Sequence, residues 1–172
     1  MKNVLIVVDM QKDFIDMSLG TKEAEAIVPS VVKLIEEGNF DRIYATMDTH
    51  EEDYLETFEG KHLPVEHCIR MSEGWKINEA VDEALMKHDA VYLMKPTFGS
   101  LELMRRIEEY EPDSITLCGL CTDICVISNA MLLRAALPET QIKIVKDCCA
   151  GVTPEKHEAA LEVMASCQMD IV

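Results

Sequence analysis

Six short apolar runs rich in β-branched residues alternate along this chain with segments of helical period, and that alternation leaves few folds open. Residues 4–8 (VLIVV) are apolar without a break, the pattern of a strand buried on both faces. Similar runs follow at 42–47 (RIYATM), 90–94 (AVYLM), 114–118 (SITLC), 141–145 (QIKIV) and 169–172. Between them, helical spacing covers residues 26–37, 77–87, 100–110, 123–136 and 154–167. Thr153 and Pro154 read as the N-cap and first-turn proline of the last of these. Strands and helices alternating at this spacing predict βαβ units. The expected fold is α/β: a three-layer α/β/α sandwich on a mostly parallel six-stranded sheet, Rossmann-like in architecture. With 172 residues and no repeat or Gly/Ser-rich linker, the chain predicts one domain over residues 1–172.

Charge narrows the partners. The chain carries 32 acidic against 16 basic side chains, a net charge of -16. Such a surface repels phosphate backbones and anionic lipid, so neither nucleic acid nor membrane is expected as a partner. No apolar run is long enough to span a bilayer, and the expected location is cytoplasmic. Seven cysteines, an odd count, fit reduced thiols better than a disulfide framework. The seven glycines are scattered, and neither G-x-G-x-x-G nor a P-loop occurs, which argues against a dinucleotide site despite the fold class.

In open parallel sheets ligands bind beyond the carboxyl ends of the strands, so the residues after each run form the candidate site. Those residues are Asp9, then Asp48-Thr49-His50, then Lys95, then the 119–125 segment GLCTDIC, and finally Asp147. Acids, a base and a thiol at these exits exceed what a purely structural rim requires. Cys125 is the candidate nucleophile: with Thr122 capping the next helix, it falls in a first turn whose free N–H groups stabilise a thiolate and can hold an oxyanion. A buried, inert core cysteine is the alternative. Asp9 is the candidate base and Lys95 the cation that keeps acid and thiol charged, unless the two form only a rim ion pair.

Residues 48–75 break the rhythm. They hold no clear helix or strand and three of the five histidines, and structureless stretches that long are usually functional. Asp48 and His50, two apart, point the same way on an extended backbone. With His67 and Glu59 they can form an open site for Zn²⁺, Mn²⁺ or Fe²⁺, although loop histidines are also commonly just solvated. The run Glu51-Glu52-Asp53 reads as a solvated face and 131–133 as core or an oligomer seam.

Three motifs in order, VVD9MQ11KD13F14, Lys95 before PTF, and GLCTD123IC125V, resemble the isochorismatase-like cysteine hydrolases over essentially the whole chain. Asp48-Thr49-His50 followed by 63–68 (LPVEHC) is similar to the metal loop of the nicotinamidase branch, which plain isochorismatases usually lack. The resemblance implies a triad of Asp9, Lys95 and Cys125. It also implies an oxyanion hole from the backbone N–H groups of Cys121 and Cys125, and a cis peptide joining Leu120 to Cys121. One divalent ion, zinc first and manganese or iron otherwise, is implied at Asp48, His50 and His67, with Glu59 as a fourth ligand. Phe14 and Phe98 are expected to line the substrate pocket with Leu63, which stands where the branch normally has a stacking aromatic. The segment after Lys95 is shorter than in many nicotinamidases.

The function so implied is a metal-containing cysteine amidohydrolase that converts nicotinamide to nicotinate and ammonia through a Cys thioester. Its partners are a small-molecule amide and, as is common in the family, further copies in a homo-oligomer. The alternatives are another small amide, carbamoyl or vinyl-ether substrate, or a non-catalytic binding subunit of the same fold. A hyper-reactive Cys125 separates the enzyme from the binding subunit.

Overall fold

The computed structural model describes all residues, 1–172. Six strands form one sheet: β1 (Asn3–Val8), β2 (Arg42–Asp48), β3 (Val91–Lys95), β4 (Ser114–Leu120), β5 (Gln141–Ala150) and β6 (Asp170–Ile171). Their order is β3-β2-β1-β4-β5-β6, and every neighbouring pair is parallel, so the expected mostly parallel sheet is wholly parallel. The chain builds outward from β1 through β2 to β3, then crosses back to place β4 on the other side of β1. The strand order therefore reverses between β1 and β4, where a crevice opens beyond the strand ends.

Seven helices complete the layers: α1 (Lys12–Ile15), α2 (Lys22–Glu37), α3 (Phe58–His62), α4 (Glu79–Lys87), α5 (Leu101–Tyr110), α6 (Ile127–Ala136) and α7 (Pro154–Ser166). Right-handed crossovers put α2 and α4 on one face and α5, α6 and α7 on the other, and the members of each layer pack on one another. Thr21, Ser100 and Thr153 each cap a helix, accepting from the N–H three residues on. On α2 the buried residues Ala24, Ile27, Val31 and Ile35 recur every three or four positions, giving it one apolar stripe to lay on the sheet. Every residue of β1 from Val4 to Val8 is buried, as a strand covered on both faces must be. No helix is long and apolar enough to cross a membrane.

Three expectations need correction. Residues 48–75 are not structureless: they contain a 3-10 turn at Tyr54–Glu56 and the five-residue α3, both too short to leave a periodic signal. Helix α1, four residues long, likewise leaves no periodic signal. Strand β5 runs five residues beyond its apolar run, because its register against β4 shifts from Leu117↔Ile144 to Gly119↔Cys149. That irregularity leaves Asp147 exposed inside β5 rather than at a strand exit. Gly119 permits the close approach: its φ is +116°, and a Cβ there would run into Val8 O.

Candidate active site

The carboxyl ends of β1, β3 and β4 converge on one buried ammonium. Asp9 leaves β1 with φ of 48° and is fully buried, and Lys95 ends β3 with 1% exposure. Lys95 Nζ stands 2.6 Å from Asp9 Oδ2 and 3.4 Å from Cys125 Sγ, and it donates to Thr97 O at 3.1 Å. Thr46, on the neighbouring β2, donates its hydroxyl to Asp9 Oδ1 at 2.6 Å and fixes the carboxylate's rotation. The three residues expected to act together therefore meet in one place.

Cys125 reaches this point differently from the expectation. Thr122 does not cap the helix. Residues Thr122–Val126 form a π-type turn ahead of α6, with Cys121 as its N-cap and Thr122 turned inward, its hydroxyl 2.7 Å from His157 Nδ1. The Leu120–Cys121 peptide is cis, as the resemblance implied. The Cys121 carbonyl accepts from Ile124 N (3.0 Å) and Val126 N (3.1 Å), while the Cys121 N–H makes no backbone hydrogen bond.

Electrostatics also amend the expected thiolate. Burial pushes the Cys125 thiol well above its usual range, Asp9 adds to that, and Lys95 opposes it. Burial likewise raises Asp9, against the pull of Lys95. The same burial works against the Lys95 charge, but Asp9, Cys125 and Asp48 outweigh it and hold the ammonium firmly protonated. Burial thus favours the thiol over the thiolate in the free site, with the Asp9 carboxyl beside it and the Lys95 ammonium in contact with both.

A second cluster sits next to the first. Asp48, His50, Glu59 and His67 each offer a ligand atom, and these atoms all lie within 4.8 Å of one another. His50 Nε2 is 3.0 Å and His67 Nε2 3.5 Å from Asp48 Oδ2, and Glu59 Oε1 is 3.6 and 3.7 Å from the same two nitrogens. His67 Nδ1 donates to Val65 O at 2.8 Å, which leaves Nε2 free to face the cluster. Burial raises Asp48, but hydrogen bonds from His50 and His67 and the charge of Lys95 reverse that and keep it ionised. Asp48 Oδ1 is buried with no hydrogen-bond partner, its cation neighbour being Lys95 Nζ at 3.5 Å. Two imidazole nitrogens and two carboxylates converging with an orphaned oxygen fit a divalent cation. Lys95, touching both clusters, ties them electrostatically.

Residues given no role from the sequence hold this arrangement in place. Gln11 clamps the backbone at Asp48, accepting from Asp48 N (2.7 Å) and donating to Asp48 O and Trp75 O (2.8 Å each). Asp13 accepts from Cys68 N at 2.7 Å, next to His67, and Ser18 donates to its other oxygen. Asn129 donates to Cys125 O (2.8 Å) and Phe98 O (3.2 Å) and accepts from Ser100 N (2.9 Å), joining the Cys125 turn to the loop after Lys95. Its i+4 spacing from Cys125 was a legible signal. Gln11 and Asp13 belong to the VVDMQKDF motif, but their partners lie up to 64 residues away and leave no local signal.

Both clusters open into one cavity of about 1010 Å³. Phe14, Leu63 and Phe98 line it as expected, and Phe58 joins them at the mouth with 80% of its surface exposed. Its wall also includes Gly151 and Val152 from the β5–α7 connection and Lys156 from the first turn of α7.

A family model described as "Isochorismatase domain" matches residues 3–172. The chain is 29% identical to the protein of Bacillus subtilis (strain 168) named "Uncharacterized isochorismatase family protein PncA", over 96% of each. It is also similar to the crystal structure of nicotinamidase/pyrazinamidase PncA from Bacillus subtilis (TM-score 0.82, 26% identity, 100% of both chains). A pyrazinamidase of Pyrococcus horikoshii, crystallised in complex with zinc, matches with TM-score 0.80 and 28% identity over 100% of this chain and 99% of the other.

Proposed function

The chain belongs to the isochorismatase family, and from that premise we propose that it is a cysteine amidohydrolase whose substrate is nicotinamide or a close heteroaromatic carboxamide. The carrying observation is Lys95 Nζ, 2.6 Å from Asp9 and 3.4 Å from Cys125. Asp9 takes the thiol proton as Cys125 Sγ attacks the carboxamide carbon. The oxyanion is held by the N–H groups of Cys121 and Cys125, the first of which has no competing backbone acceptor. Asp9 returns the proton to the departing nitrogen, the C–N bond breaks, and ammonia leaves a Cys125 thioester. Asp9 then deprotonates water, whose oxygen attacks the thioester carbon. The C–S bond breaks, Asp9 gives that proton to the departing Cys125 sulfur, and the acid product leaves as its carboxylate after losing its own proton to solvent. Lys95 keeps the Asp9 carboxyl anchored throughout and favours its ionised form between proton transfers.

Phe14 presents a ring to the bound heterocycle, and Leu63 and Phe98 complete the walls. Asp48, His50, Glu59 and His67 would hold one divalent ion, and zinc is our assignment because the Pyrococcus relative was crystallised with it. Bound there, the ion supplies a Lewis-acidic anchor for a substrate heteroatom or water. The convergence of all four ligand residues favours the amide branch over a vinyl-ether substrate, whose chemistry needs neither Asp48 nor His67. The test is ammonia release over a panel of primary amides, with and without chelator. The reading expects nicotinamide or pyrazinamide to lead the panel and chelation to depress turnover; silence across every amide would overturn it.

A further inference from the structure

The π-type turn that carries Cys125 is fastened from behind by α7, through a contact that the reaction scheme above does not use. Thr122 is completely buried, and the one hydrogen-bonding group its hydroxyl meets is His157 Nδ1, 2.7 Å away. A buried hydroxyl hydrogen needs an acceptor, and this one is satisfied when His157 is neutral with its proton on Nε2. The adjacent residue is tied to the same region, for Asp123 Oδ1 accepts from Val152 N at 2.9 Å. Gly151 lets the two segments touch: a Cβ there would come within 2.8 Å of His157 N and 2.9 Å of Asp123 Oδ1. His157 is itself fixed by the first turn of α7, where its N–H donates to Thr153 O at 3.0 Å.

Thr122 stands between the Cys121 carbonyl, held by Ile124 N and Val126 N, and Cys125 itself. The Cys121–Thr122 peptide is thereby held at its carbonyl by the turn's own N–H groups, and the Thr122 side chain that follows it is held by His157. That peptide is joined at the Cys121 Cα to the Leu120–Cys121 peptide that carries the Cys121 N–H, and it leads into the turn that delivers the sulfur. We infer that His157 is a positioning residue which, through Thr122, holds the Cys121–Cys125 turn in its reactive geometry. The inference rests on the proposed role of that turn, while the hydrogen bond itself is independent of any substrate.

The chemistry of the contact selects the test. Asparagine places its amide oxygen or nitrogen where Nδ1 stands, two bonds from Cβ, whereas glutamine reaches only the Nε2 position. Because misplacement of a reacting group by about 1 Å can cost on the order of 100-fold, His157→Ala and His157→Gln are expected to lower kcat at least tenfold with little change in KM. His157→Asn is expected to stay within about threefold of the parent protein. Bound metal should be unchanged in all three, and His157→Ala combined with Thr122→Val should be no slower than the worse single variant. The rate of Cys125 alkylation by iodoacetamide reads the same geometry without a substrate. If the parent protein hydrolyses no amide, the proposed function falls, and the alkylation rates must still group asparagine with the parent and alanine with glutamine. Parental kcat in His157→Ala, an equal fall in the Gln and Asn variants, or identical alkylation in all of them would overturn the inference.

Discussion

Taking an ammonium out of water costs several kcal/mol, and Lys95 is 1% exposed. Its partners, above all Asp9 at 2.6 Å and Asp48 at 3.5 Å, make that position tenable. Lys95→Met leaves Asp9 as an uncompensated buried charge, and we expect it to lower unfolding free energy by about 3–5 kcal/mol. Adding Asp9→Asn should recover part of that loss, and denaturant melts of the two variants check it; a double variant less stable than Lys95→Met would contradict the pairing. The thiol gives a second expectation. With burial and Asp9 both pushing Cys125 up, its alkylation should keep accelerating as pH rises through about 9, in contrast to the low plateau of a preformed thiolate. A plateau at neutral pH would show that the free protein holds the anion. The identities of Asp9, Lys95 and Cys125 were legible because each ends or follows a strand. The charge state of the sulfur was not, since it depends on how completely the fold buries it.

The elements differ in how plainly their sequences announce them. Strand β1 is an unbroken apolar run from Val4 to Val8, β2 and β4 are mostly apolar, and every residue of the three after the first is buried. The apolar run of β5 stops before the strand does, because Lys146 and Asp147 interrupt it where the register shifts against β4. The segment between β2 and α4 is the opposite case: its side chains announced a site, and its short helices could not be read. What fixes that segment is tertiary, namely Gln11 on the backbone of Asp48 and Asp13 on Cys68 N, partners 37 and 55 residues apart. Asp13→Ala should therefore weaken metal binding, by roughly 10- to 100-fold if it behaves as outer-shell partners usually do. Metal titration followed by calorimetry measures this, and an unchanged affinity would mean the loop holds its own shape.

At the scale of the whole molecule, one sheet reversal does the positioning. Because β4 returns beside β1, the ends of β1 and β4 lie level, with Val8 opposite Gly119, and β3 brings Lys95 level with Asp48. Parallel sheet and site location follow from the alternation of elements alone, whereas the pairing order could only be seen in three dimensions. A divalent ion held across β2, α3 and the loop before α4 would tie these parts together. Metal present at 100 times its dissociation constant should stabilise the fold by about 2.7 kcal/mol, a rise in Tm of roughly 5–10 °C. Thermal melts before and after chelation measure it, and coincident melts would exclude binding at these residues. The central claim, that the Cys125 sulfur performs the attack, is tested most directly by the time course of ammonia release from nicotinamide in the parent protein and in Cys125→Ala. The account predicts steady release from the parent and none above the uncatalysed rate from a folded Cys125→Ala; release at the parental rate from that variant would contradict it.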